Sequence, residues 1–182
     1  MKKFVLTAML LTIIATPALA QAEDLGLFAD NAGLSCEILD TVAGIKRVYV
    51  VHVNSLGATG SEFLVDTSAS TMSLIVASAP AGFLTIGSSD TGISIAYQEC
   101  KIGTFLVLTM TFDNFGDSAA CSRLRMLEDP TAVPPARIYA DCSSQPHNFP
   151  GGQAIVNPNP GSCPCSVATE TTTWGNIKAL YR

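Results

Sequence analysis

Alternation of apolar and polar positions, the two-residue period of a half-buried strand, recurs along most of the chain. In GISIAYQ (92–98), Ile93, Ile95 and Tyr97 share one face, and Ser94, Ala96 and Gln98 the other. TFLVLTMTF (104–112) sets Leu106, Leu108, Met110 and Phe112 together, with Thr109 and Thr111 opposite. RVYVVHVN (47–54) is apolar on both faces, which predicts a central strand covered on both sides. Shorter runs at 25–29, 62–65, 72–77, 83–86, 136–141 and 153–156 read as further strands between Gly, Pro, Asn, Asp and Ser clusters. The expectation is an all-β chain of about nine strands with no interior helix, folded as a two-sheet antiparallel β-sandwich.

The pattern changes at both ends. Lys2 and Lys3, the apolar run 4–14 and Ala18-Leu19-Ala20 make residues 1–20 a bacterial-type export signal with an A-x-A cleavage site. No second apolar run is long enough to span a bilayer, so no membrane span is expected in the mature protein. At the other end NPNPGSCPC (157–165) suits neither strand nor helix, and it separates a sandwich over 21–157 from the tail through a linker at 158–168. The tail, 169–182, contains TTTWGNIKALYR and reads as a short amphipathic helix. Trp174, Ile177 and Tyr181 fall at i, i+3 and i+7 with Leu180 beside them, and Thr172 or Thr173 supplies the cap. A helix this short persists only when its apolar face docks. Those four residues therefore either pack on the sandwich or form an address read by a secretion or attachment machine.

Loss of Lys2 and Lys3 with the signal takes the net charge from −5 to −7 over 162 residues, with the eight remaining basic residues scattered and only Lys46 and Arg47 adjacent. That balance argues against nucleic acid and anionic lipid as partners and leaves a protein or surface partner. The protein is expected to be periplasmic, cell-surface or extracellular. Six cysteines follow the signal: Cys36, Cys100, Cys121, Cys142, Cys163 and Cys165. In an oxidising compartment an even number reads as three disulfides, with fifteen connectivities open. Pro164 between Cys163 and Cys165 disfavours a bond across one rigid residue, so these two are expected to reach different partners. The favoured pairing is Cys100 with Cys121, leaving Cys36 and Cys142 to share the C-P-C pair. A metal site using C-P-C with His52 and His147 is the weaker alternative, since no C-x-x-C or H-x-x-H spacing occurs. No cofactor is expected.

One resemblance runs from about residue 47 to 156. An apolar strand, a Gly-rich stretch before Phe63, SDTGISIAY (89–97) and the Gly-led strand GTFLVLTMTF (103–112) follow in an order similar to cohesin-type, immunoglobulin-like sandwiches of bacterial surfaces. The resemblance implies an extracellular sandwich. Cys36, Cys100 and Cys121 depart from it, because cohesins are not disulfide-rich. The tail separately resembles the C-terminal segments of uncharacterised exported bacterial proteins.

Catalytic motifs are incomplete. FLVDTSAS (63–70) and SSDTGIS (88–94) each carry half of an aspartic-protease signature: Asp66 lacks the following glycine, and Asp90 lacks the apolar approach. Both fit strand-end turns better. Without a G-x-S-x-G elbow, the only histidine bases are His52, within a strand and expected to be structural, and His147, in the apparent loop SQPHNFPGG. DNFGD (113–117) and ADNAG (29–33) offer too few oxygens for a Ca²⁺ loop. The reading is a non-catalytic exported sandwich with a binding, adhesion or surface-structural role. The alternative is a small secreted hydrolase or carbohydrate-active module whose site is not visible in linear motifs.

Overall fold

A computed structural model describes residues 24–159, 161–163 and 165. The expected export signal and the expected helix with Trp174, Ile177, Leu180 and Tyr181 lie outside the described residues. Within them the regular elements are strands: β1 (Asp24–Phe28), β2 (Glu37–Ile38), β3 (Gly44–Asp66), β4 (Ser73–Ser78), β5 (Leu84–Ser88), β6 (Gly92–Asn114), β7 (Ser122–Leu127), β8 (Ile138–Asp141), β9 (Pro146–Asn148) and β10 (Gln153–Val156).

Two runs that the sequence divides are continuous. RVYVVHVN and the run at 62–65 both belong to β3, while GISIAYQ and TFLVLTMTF both belong to β6, each strand being 23 residues long. The polar, Gly-containing stretches between them bend the strands without ending the ladder. Asn54, Gly57, Gln98 and Gly103 take positive φ there, at 52°, 144°, 64° and 83°. The register shifts repeatedly between Val50 and Gly60, as bulged, sharply twisted strands do. The β3–β6 ribbon thus bends so that its two halves face each other across one core. Leu25, Leu27, Val48, Val50, Leu108, Met110 and Phe112 pack from one half and its neighbour β1. Phe63, Val65, Ile93, Ile95 and Tyr97 pack from the other.

Each half acquires its own flanks. The half containing Val48 and Met110 is bordered by β1 and β4, and the half containing Gly60 and Ala96 by β8 and β5, with β9 outside β8. At Leu64–Asp66, β3 passes to β7, which pairs with β10; β10 then pairs in parallel with β2. In β7, SRLRML, Leu124 and Met126 enter the core and alternate with Arg123 and Arg125.

The disulfides are Cys36–Cys165, Cys100–Cys142 and Cys121–Cys163, with Cα separations of 5.7, 5.3 and 5.8 Å. The expected Cys100–Cys121 bond does not form, and Cys142 does not reach the C-P-C pair. The reason is strand length: from Gly103 to Asn114 the extended chain runs about 35 Å away from Cys100 before it turns back. Cys142 instead follows β8, which brings it alongside the ribbon bend. Cys121 precedes β7, where its N–H donates to the Asn157 carbonyl, so the segment after β10 passes beside it.

Gly57 seats the Cys100–Cys142 bond. A Cβ there would lie 2.6 Å from Cys142 Sγ and 3.3 Å from Cys100 Sγ, on backbone already at φ +144°. Gly57→Ala is expected to cost about 2 kcal/mol through strain and displacement of the sulfur. Thermal unfolding checks this, and an unchanged melting temperature counts against it.

Candidate functional site

The register aligns two rows of side chains across five strands. One row runs Leu84 (β5), Ala96 (β6), Gly60 (β3), Ala140 (β8) and Pro146 (β9). The next runs Ile86, Ser94, Glu62, Ile138 and Asn148. Their neighbours Ile95 and Ser61 are buried, and Tyr139 packs on His52, so strand alternation turns both rows outward. The small residues Ala96, Gly60 and Ala140 lie side by side and form the floor of a trough of 390 Å³. Leu84 and Ile86 wall one side at 62% and 77% exposure, and Ile138 stands opposite. The backbones approach closely at this floor, since a Cβ on Gly60 would meet the Ile95 carbonyl oxygen at 2.8 Å.

One charge marks the trough. Glu62 Oε1 accepts a hydrogen bond from Ser94 Oγ at 3.2 Å. Beyond Ile138 the surface continues into a second hollow of 360 Å³ that shares Glu62 and Ile138 and adds Ala132, Val133, Pro134 and Pro146. Val133, joined to Pro134 by a cis peptide bond, is almost wholly exposed. The whole is an apolar strip with a carboxylate near its middle. Exposed apolar surface of this kind, rimmed by polar groups, is how protein-binding sites present themselves.

The chain matches neither a protein-family model nor a curated protein. Solved structures do match. A type II cohesin domain from the cellulosome of Acetivibrio cellulolyticus superposes with a TM-score of 0.50 at 11% identity, covering 75% of this chain and 95% of that chain. The fold is a cohesin-like β-sandwich. The seventh ScaB type I cohesin from Pseudobacteroides cellulosolvens is also similar, at TM-score 0.45 and 14% identity over 75% of this chain and 93% of its own. So is a cohesin module from a Clostridium perfringens family 33 glycoside hydrolase, at 0.47 and 8% over 76% and 100%. In this cohesin-like sandwich the trough occupies the outer face of the half built on β5, β6, β3 and β8.

The residues singled out from sequence lie elsewhere. Asp66 Oδ1 accepts from the Ser68 N–H at 2.9 Å; hydrogen bonds from Ser68, against burial and with help from Arg125, hold its carboxyl below the ordinary value. Asp90 accepts from Ser88 Oγ at 2.5 Å. Each carboxylate thus organises its own turn. In DNFGD, Asn114 donates to Asp40 and Asp117 accepts from Thr71; in ADNAG, Asp30 accepts from the N–H groups of Ala32, Leu34 and Ser35. Among the described residues no three His, Cys, Asp or Glu side chains converge as metal ligands.

The two histidines, far apart in sequence, meet on one ring. His52 is fully buried, with centroids 5.3 Å from Phe105 and 5.1 Å from Tyr139. His147 belongs to β9, not to a loop, and stacks on Tyr139 at 5.2 Å. Its Nε2 lies 2.8 Å from Asp141 Oδ2, and that contact, with the turn N–H groups of Gln145 and Ser143, holds the Asp141 carboxyl below the ordinary range. Sequence reasoning missed the trough because its floor is made of small residues that only the register brings together. The signal available was FLTIGS, whose Leu84 and Ile86 alternate toward no identified partner.

Proposed function

We propose that this chain is a non-catalytic, exported binding module that receives a partner polypeptide in the trough between Leu84 and Ile86 on one side and Ile138 on the other. The observation that carries the reading is the in-register pair of outward rows, which gathers Leu84, Ile86 and Ile138 into one apolar strip around a floor of small residues. A floor of Gly60, Ala96 and Ala140 admits bulky apolar side chains, and Glu62 suits a lysine or arginine placed among them. The disulfides support an oxidising, extracytoplasmic setting. A similar cohesin from Clostridium thermocellum, with a TM-score of 0.44, was solved as a cohesin–dockerin complex. The trough, not that likeness, supports a protein ligand here.

Affinity capture from the extracellular fraction of the source cells tests the reading, with wild type beside Ile86→Asp and Ile75→Asp. Ile75 is similarly exposed on β4, away from the trough. Ile86→Asp is expected to weaken binding of the captured protein at least about tenfold, as loss of a central apolar contact does, while Ile75→Asp leaves it intact. Equal capture by wild type and Ile86→Asp, or equal loss in both variants, refutes the trough as the site.

A further inference from the structure

The three disulfides differ in access. Cys36 and Cys163 are buried, at 2% and 4% exposure, so two of the bonds each have a shielded sulfur. Cys100 and Cys142 are both exposed. Cys142 also lines a cleft of 330 Å³ with Leu56, Gly57, Tyr139, Asp141 and His147. Within the cleft the imidazole of His147 is fixed on one side by stacking on Tyr139 and on the other by Asp141. The bond itself rests on the bare backbone of Gly57, with no side chain covering it from that direction. Access to a sulfur is what thiol exchange requires, and a positioned proton carrier beside it assists the departing sulfur.

We propose that Cys100–Cys142 is a thiol–disulfide exchange site for low-molecular-weight thiols entering through this cleft. A thiolate attacks Cys142 Sγ and forms a new sulfur–sulfur bond there. The Cys100–Cys142 bond breaks, and its electron pair leaves on Cys100 Sγ, which takes a proton from water. A second thiolate then attacks the outer sulfur of the mixed disulfide. As that sulfur–sulfur bond breaks, His147 donates a proton to the departing Cys142 Sγ, and His147 recovers a proton released by the incoming thiols. In sum two small thiols are oxidised to one disulfide, and one protein disulfide is reduced to two thiols. Because Cys142 directly follows β8, opening the bond frees the end of the strand that carries Ile138 and Ala140. The chemistry does not depend on what the trough binds.

The test titrates the native protein with reduced glutathione, quenches with an alkylating agent and maps labels and glutathione adducts by peptide mass spectrometry. Cys100 and Cys142 are expected to become labelled at a glutathione concentration about tenfold below that needed for the other four cysteines, with the adduct on Cys142. His147→Gln is expected to lengthen the life of that adduct without changing which bond opens first. Simultaneous opening of all three bonds, a first adduct on any other cysteine, or an adduct lifetime indifferent to His147→Gln overturns the proposal.

Discussion

A Cys36→Ala/Cys165→Ala variant is expected to lose about 4–5 kcal/mol of stability, which for a domain of this size lowers the melting temperature by about 10–15 °C. The bond joins residues 129 apart in sequence, against 42 for each of the others, so it removes the most freedom from the unfolded chain. It also secures the weakest pairing in the fold. β2 contributes two residues to a parallel ladder with β10, through Glu37 opposite Ile155 and Ile38 opposite Val156. The Ile155 N–H donates to the Cys36 carbonyl at 2.8 Å, directly beside the bridge. Without the bond, that two-residue strand has little to hold it. Differential scanning calorimetry under non-reducing conditions reads the effect; a melting temperature within a few degrees of wild type contradicts it.

Asp40→Ala is expected to cost about 4 kcal/mol, because it strands several buried donors at once. The Asp40 carboxylate, 1% exposed, accepts from Asn114 Nδ2 at 2.5 Å, Gly116 N–H at 2.8 Å and Ser118 N–H at 3.2 Å. Its backbone N–H donates to Asn157 Oδ1 at 2.8 Å, and Asn157 Nδ2 donates back to the Asp40 carbonyl and to that of Ser118. The side chain thus ties the loop before β3 to the loop after β6, and the backbone of the same residue holds the exit of β10. Burial opposes ionisation, but the hydrogen bonds from Ser118, Asn114 and Gly116 outweigh it, and the carboxyl titrates below its ordinary 3.8. A depressed folded-state pKa contributes stability that is present above the unfolded value and lost as pH falls through the folded one. Wild type is therefore expected to destabilise steeply below about pH 4, and Asp40→Ala to show lower stability at neutral pH with a shallower acid limb. Urea unfolding across pH 2 to 7 measures both, at conditions set by the same linkage. An acid limb of undiminished steepness in the variant removes Asp40 as its cause.

The alternation of GISIAYQ made the outward positions of Ser94 and Ala96 legible from sequence, and that of TFLVLTMTF did the same for the core positions of Leu108, Met110 and Phe112, whereas a register shift buries Val107 in place of Leu106. What lay beyond local pattern was pairing. SLGATG and ECKIG carry the glycines and polar residues of loops, yet the ladder continues through them because the partner strand bends at the same place. β7 was overlooked because Arg123 and Arg125 dominate its six residues, although Leu124 and Met126 keep the strand period. Cysteine pairing followed where β8 and β10 deliver the chain, which sequence separation does not encode. The trough depends on Gly60 standing between Ala96 and Ala140, three residues with nothing individual to mark them. The polar motifs that drew attention, Asp66, Asp90 and DNFGD, are turn and loop chemistry.

Because β3 and β6 each run through both halves of the sandwich, neither layer has a boundary at which it can come apart alone. Melting the face that carries the trough requires breaking the same two strands that hold β1 and β4 on the opposite side. The domain is thereby built as one cooperative unit rather than two stacked sheets with separate stabilities. A binding partner seated on Gly60 and Ala96 would accordingly stabilise the far layer as much as the near one.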